Sequence, residues 1–330
     1  DLIVVDSDVG GDINYELSYV PYKPFLKSLL QNTPITVLAD GTATTDFFAR
    51  ASLNIVATSI NFINAGIKVG MYIKITNTTS NNGIFKVTYV ANWELTVTPQ
   101  PVSEVSSDPI ITAEMVRNGS IAPQTYTFLK RIEGIAATAY FYYTGCVISA
   151  MSFNFSAGSI LNGTMSVVGR TETVTETAIS GSSYPLLDPY KIMNSVQSLS
   201  DISITGLSAD TCFNTLNLTV NNNVQPAKCI GTLGAHDLAS FTLDITADIE
   251  LYFEDIVTYT LYKNSSSFSL SFRLTDGDGN LLIVTLPACK FESLDSPIDG
   301  KDNFYMLSGS MRAIRDSVTD CMIQFDFFNA

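Results

Sequence analysis

The sequence predicts a mainly β protein with two related strand-rich units, each carrying one helix, and a small β-domain inserted into the first. Three observations carry this. Apolar runs rich in β-branched and aromatic residues, such as VISAMSFNF (147–155) and SFTLDIT (240–246), dominate the chain. Only two segments show a helical apolar stripe. One pattern of elements also returns farther along the chain.

In chain order, the strand-like INYELSY (13–19) precedes a predicted helix, YKPFLKSLLQN (22–32), with Phe25, Leu26, Leu29 and Leu30 on one face. Residues 33–122 read as an insertion containing a small β-domain, densest at about 59–116. Within it, NNG (81–83) predicts a two-residue hairpin turn, because Asn-Gly supplies positive φ angles cheaply. Residues 1–32 and 123–172 make the first unit, the Ser/Thr-rich 173–200 a connector, and 201–330 the second unit. There IELYF (249–253) leads into a second predicted helix, FEDIVTYTLYKN (253–264).

The repeat is read by aligning Cys146 with Cys289, an offset of 143. KRIEG (130–134) then meets RLTDG (273–277). With three extra residues in the second copy, NGTMSV (162–167) meets SGSMRA (308–313), Gly163 on Gly309 and Met165 on Met311. From Asn32 to Lys130 is 98 residues, whereas from Asn264 to Arg273 is 9, so the excess marks the insertion.

The formal net charge of -14 argues against wrapping nucleic acid, because phosphates would be repelled. No apolar run reaches the roughly 20 residues that span a bilayer, and DLIVVDSDVGG lacks the basic segment of a signal peptide. The cysteines at 146, 212, 229, 289 and 321 form no CxxC pair and read as free, buried thiols of a reducing compartment.

No enzyme, cofactor or metal signature emerges. His236 is the only histidine and reads as a loop residue. TDGDGN (275–280) has the Asp spacing of an EF-hand start, but Pro287 stands where the bidentate Glu belongs, so an acidic β-turn is expected. Glu254 and Asp255 read as acids at a helix start that complement its dipole. Tyr89 and Trp93 read as core aromatics of the insertion, with a sugar platform as the other reading.

Taken together, DINYELSYVPYKPFLKSLL (12–30), FLKRIEG (128–134), YTGCVISAMSFNFSAGSILNGTMSVVGR (143–170), DIELYFEDIVTYTLYKN (248–264) and LPACKFESLDSPIDGKDNFYMLSGSMRA (286–313) resemble the major tail tube proteins of long-tailed, siphovirus-like bacteriophages. GIKVGMYIKITNTTSNNGIFKVT (66–88) is similar to a small β-domain common in phage tail proteins. The resemblance implies tail-tube-like β-sandwich or half-barrel units, each with one packed helix. It further implies a structural virion protein whose rings stack into the conduit for DNA ejection.

Such rings usually present six tube units, so a chain with two would form trimers with pseudo-sixfold symmetry, a hexamer being the alternative. Implied partners are other copies of the chain and the tape measure, tail terminator and distal tail proteins, with DNA passing through the lumen without specific binding. The insertion is expected to face outward. Assembly would occur in the host bacterial cytoplasm.

Candidate lumen-facing acids are Asp12 and Glu16 in the first unit and Asp248 and Glu250 in the second; ordinary solvated or intersubunit charge is the other reading. The competing functional class is a virion decoration or surface-adhesion protein that binds glycans.

Overall fold

The computed structural model describes all residues except 1, 2, 4, 41–46, 50–53, 59, 107–108, 120–123, 135, 184–189, 209–210, 255, 297–300 and 302. It is mainly β, with two helices among the described residues.

β1 (Val9–Glu16) leads into α1 (Tyr19–Leu29), which begins three residues before the predicted start. Pro21 fits the first turn, where a missing N–H costs nothing. The helix stops short of Asn32 because Gln31 adopts a left-handed φ of 49° and its N–H turns back to the Ser28 carbonyl. Leu26 and Leu29 are buried, and α1 packs against the long strand that carries Cys146.

The segment that follows contributes β2 (Ile35–Asp40), β3 (Phe47–Ala49), β4 (Asn54–Val56), β5 (Tyr72–Thr76), β6 (Gly83–Val90), β7 (Glu94–Thr98), β8 (Glu104–Ser106) and β9 (Ile110–Arg117). Its inward side chains, among them Ile55, Phe62, Ile73, Ile75, Val87, Leu95, Val97 and Ile111, form a core separate from the main one. The β5–β6 hairpin closes through residues 76–82 rather than a two-residue turn. Asn82 bonds back to Thr78 and uses up the local capacity that Asn-Gly would have given a tight turn. Tyr89 (54%) and Trp93 (46%) stand half exposed at the β6–β7 hairpin, which overturns the expectation that they are core aromatics.

The chain continues with β10 (Tyr126–Ile132), β11 (Ala139–Ser156), β12 (Asn162–Gly169) and β13 (Thr171–Thr175). Next come β14 (Leu199–Ile204), β15 (Phe213–Asn221), β16 (Gln225–Ala227), β17 (Asp237–Ala239) and β18 (Asp244–Tyr252). The last elements are α2 (Val257–Lys263), β19 (Phe268–Thr275), β20 (Leu281–Asp295), β21 (Met306–Ala313) and β22 (Gln324–Phe328).

α2 is shorter than predicted. Phe253 is held by its N–H on the Tyr305 carbonyl, and no side chain caps the helix start. Its first turn carries no acid, so Glu254 does not serve the dipole, and Asp255 lies outside the described residues. The TDGDGN segment is an acidic turn between β19 and β20. The Asp276 carboxylate accepts the backbone N–H groups of Asp278 and Asn280, both at 2.9 Å. His236 lies exposed in the turn before β17.

Two sets of strands pair alike. β1 pairs β12 as β18 pairs β21, and β10 pairs β11 as β19 pairs β20. Tyr126 faces Cys146, then a bulge intervenes, then Phe128 faces Tyr143; Phe268 faces Cys289, then a bulge, then Leu270 faces Leu286. The cysteines therefore share a register, but the KRIEG–RLTDG match slips by one. Arg131 opposite Tyr140, not Lys130, corresponds to Arg273 opposite Ile283.

Cys146, Cys289 and Cys321 are buried, whereas Cys212 and Cys229 are exposed, so the expectation of five buried thiols holds for three. Burial pushes the Cys146 thiol up and the Cys289 thiol up to about 12, leaving both as packing groups.

The segment carrying β2–β9 is stitched to the main body where β22 pairs β9. There Arg117 donates to Gln324 Oε1 at 2.7 Å, and Asp326, fully buried, accepts the Tyr72 N–H at 3.1 Å. On the other side Glu114 of β9 takes ion pairs from Lys23 (2.7 Å) and Lys27 of α1.

Candidate functional site

The strands β1, β12, β11, β15, β18, β21 and β20 pair successively in that order and form one antiparallel sheet. Alternation sorts its two faces. One face presents Tyr15, Met165, Phe153, Leu218, Ile249 and Met311 to the main core, where Leu26 and Leu29 of α1 also pack. The other face is mostly polar.

Residues directly opposite one another on that polar face line up in rows across the strands. One row runs Asn14, Thr164, Ser152, Thr219, Thr246, Arg312, Lys290. The next runs Glu16, Asn162, Asn154, Asn217, Asp248, Ser310, Ser293. A third runs Ser156, Thr215, Glu250, Ser308, Asp295. A fourth joins Asp12, Ser166, Ala150, Asn221 and Asp244. Asn and Asp are poor strand formers, so this face is populated against propensity while the buried face supplies the stabilisation.

All four predicted acids lie on this face. Asp12, Glu16 and Asp248 are exposed and Glu250 is half-buried. Ser166 donates to Asp12 at 2.6 Å, and Asn214 donates to Glu250 at 2.6 Å. Glu16 and Glu250 occupy matching positions, each two residues past a strand position whose neighbour on β12 or β21 is Thr164 or Ser310. Asp12 has no acidic counterpart, because Thr246 stands at its place.

Sequence reasoning missed Asp244 and Asp295 on the same face, and also its cations, Lys290 and Arg312. Asp244 shares parity with Asp248 and Glu250, so strand alternation alone could have found it. Arg312 pairs with Glu292 at 2.7 Å and Asp244 at 3.4 Å, which neutralises part of the acidity near β20. Away from that cluster, carboxylates predominate, and the surface repels polyanions while offering water many hydrogen-bonding partners.

Among the described residues, no group of three or more His, Cys, Asp or Glu side chains could hold a metal ion. Nor is any described helix long and apolar enough to cross a membrane.

No curated protein matches the sequence. Residues 1–313 match the family profile described as phage tail tube protein. That match spans every strand of the polar face and both helices, and the chain belongs to the phage tail tube protein family.

Proposed function

We propose that the chain is the major tail tube subunit, that its polar face lines the channel, and that rings of three chains stack into the conduit for DNA ejection. The observation that carries this reading is the continuity of the sheet. Strands from both halves of the chain lie in one sheet with one acid-rich face. Asp12, Glu16, Asp248 and Glu250 would then keep passing DNA from sticking.

Under this reading residues 1–32 and 123–172 form one tube unit, 201–330 a second, with 173–200 connecting the two units and 33–122 an outward-facing insertion in the first. The trio β1, β12, β11 and the trio β18, β21, β20 pair in the same way, which supports two units per chain and pseudo-sixfold rings.

The sheet's ends support closure by neighbours. Among the described residues, β1 pairs only with β12, and residues 291–295 of β20 pair only with β21. Ile13 is 40% exposed, whereas Ala247, its counterpart on β18, is buried beside β15. An open cavity of about 460 Å³ lies under β1, lined by Gly11, Ile13, Phe128, Tyr143 and Cys146 among others. An unpaired edge above an apolar notch is a natural site for sheet extension by another copy.

The role is structural, without catalysis. In the virion tail the tube would meet the tape measure, tail terminator and distal tail proteins, after assembly in the host cytoplasm. Electron microscopy of assembled protein tests the reading. Rings with three chains around a channel support it, and a monomer that never polymerises contradicts it.

A further inference from the structure

Two donors from α1 converge on the side chain of Asn329. The Tyr19 hydroxyl and Lys23 Nζ both donate to Asn329 Oδ1, at 3.3 and 3.1 Å. Two donors on one atom fix which way the carboxamide points, so its carbonyl oxygen, not its NH2 group, faces the helix.

Asn329 is anchored there by more than its side chain. β22, which ends at Phe328, is paired on both sides, with β20 and with β9. Just beyond it the Asn329 carbonyl accepts Lys74 Nζ at 3.2 Å, and the Ala330 N–H donates to Asn280 Oδ1 at 3.1 Å.

Lys23 also meets a carboxylate. Glu114 of β9 pairs with Lys23 Nζ at 2.7 Å and with Lys27, one turn along α1. The Lys23 and Glu114 side chains are only 15% and 20% exposed. The ring centroids of Tyr19 and Phe327 each lie 5.4 Å from the Lys23 amine. These walls restrict water, the nucleophile that would compete with the amine. An amine, a carboxamide, a carboxylate and a phenol hydroxyl thus meet at one point, whereas a salt bridge needs only two of the four.

We propose that this cluster forms an intramolecular isopeptide bond between Lys23 and Asn329, with Glu114 moving the protons. Glu114 takes a proton from the Lys23 ammonium, which frees the lone pair that attacks Asn329 Cγ. That carbon lies one C=O bond beyond Oδ1, hence within roughly 4.3 Å of Nζ. The Tyr19 hydroxyl donates to the oxygen as it gains charge. Glu114 passes the first proton to Nδ2 and removes a second from Nζ. The carbonyl re-forms, the Cγ–Nδ2 bond breaks, and ammonia leaves with the second proton as ammonium, so Glu114 ends as a carboxylate. No oxidant or cofactor is required. Asn329 is exposed, which gives the ammonium a direct route to solvent.

The ion pairs of Glu114 belong to the state before the bond forms. The bond would tie α1 to the end of the last strand across a sequence separation of 306 residues. A covalent loop of that length restricts the unfolded chain, and β22 could not leave the sheet without taking the helix along.

Intact-mass spectrometry of the full chain, followed over days of incubation after purification, tests the proposal. The parent is expected to fall about 17 Da below its sequence mass as ammonia is lost. A tryptic digest should then yield a branched peptide joining the residues around Lys23 to those around Asn329. Lys23→Arg and Asn329→Ala should keep the full mass. Glu114→Gln should form the branch at least about a hundredfold more slowly. A folded parent that keeps its full mass overturns the proposal. So does ammonia loss without the branched peptide, or a Glu114→Gln chain that links at the parent's rate.

Discussion

Tyr15 lies over Gly163, and its hydroxyl donates to the Ser152 carbonyl at 2.8 Å, two strands away. A Cβ at position 163 would sit 1.9 Å from that carbonyl and 2.7 Å from the Tyr15 hydroxyl. Gly163→Ala must therefore displace backbone and break a hydrogen bond at once, a loss of roughly 3 kcal/mol. At the matching Gly309 the closest atoms are Leu294 Cδ1 at 2.9 Å and Phe291 Cε1 at 3.2 Å, side-chain ends that can yield. Gly309→Ala should cost about 1 kcal/mol, and chemical denaturation of the two variants should rank them in that order.

Asp326 makes stability depend on pH. Burial pushes its carboxyl from 3.8 up to about 7, against the hydrogen bonds from Gln324 and the Tyr72 N–H that favour the charge. The folded protein thus holds a proton that the unfolded chain releases near pH 4. Its contribution is fully present below the unfolded value and is lost as pH rises toward 7, with a slope of up to about 1.4 kcal/mol per pH unit. Asp326→Asn should flatten that part of a melting-temperature profile; an unchanged slope would count against this assignment.

Glu114 acts with the opposite sign. Burial raises its carboxyl, but hydrogen bonds and charge from Lys23 and Lys27 outweigh this and hold it below the usual carboxylate range. Its stabilisation is present above the unfolded value and lost as pH falls through the folded one. Glu114→Gln should lower stability at pH 7 by about 1 kcal/mol, since the pair is only partly buried. The same variant should lose less on acidification than the parent, as read by denaturation at several pH values.

The thiols divide in a way that a colorimetric titration can read. Cys212 and Cys229 should react in the folded subunit, and Cys146, Cys289 and Cys321 only after unfolding. Cys229 lies in the turn between β16 and β17, and the Cys212 carbonyl accepts the Tyr252 N–H at 3.1 Å.

The alternation that defines the polar face was legible in the sequence, because strand parity depends on nothing beyond the chain itself. The cysteine register was legible for a related reason: Cys146 and Cys289 each follow a bulge opposite an aromatic residue. Helix ends were not, because Gln31 and Phe253 are fixed by backbone partners that neighbouring letters do not reveal. The exposure of Trp93, Cys212 and Cys229 was equally hidden, since it depends on which strand ends project from the sheet. Lys290 and Arg312 escaped notice because their membership of the face appears only once β20 and β21 are in register.

Replacing Asp12, Glu16, Asp248 and Glu250 together by lysine should leave assembly intact and make tubes retain DNA. A cosedimentation assay at low salt should show about tenfold more bound DNA, falling steeply as salt is raised. DNA retention equal to the parent would argue that these residues do not line the channel.

The most direct measurement is a cryo-electron microscopy map of assembled tubes, read in cross-section. The account predicts three chains per ring, with pseudo-sixfold symmetry and the row Glu16, Asn162, Asn154, Asn217, Asp248 turned toward the channel. Six chains per ring, or that row facing outward, would contradict it.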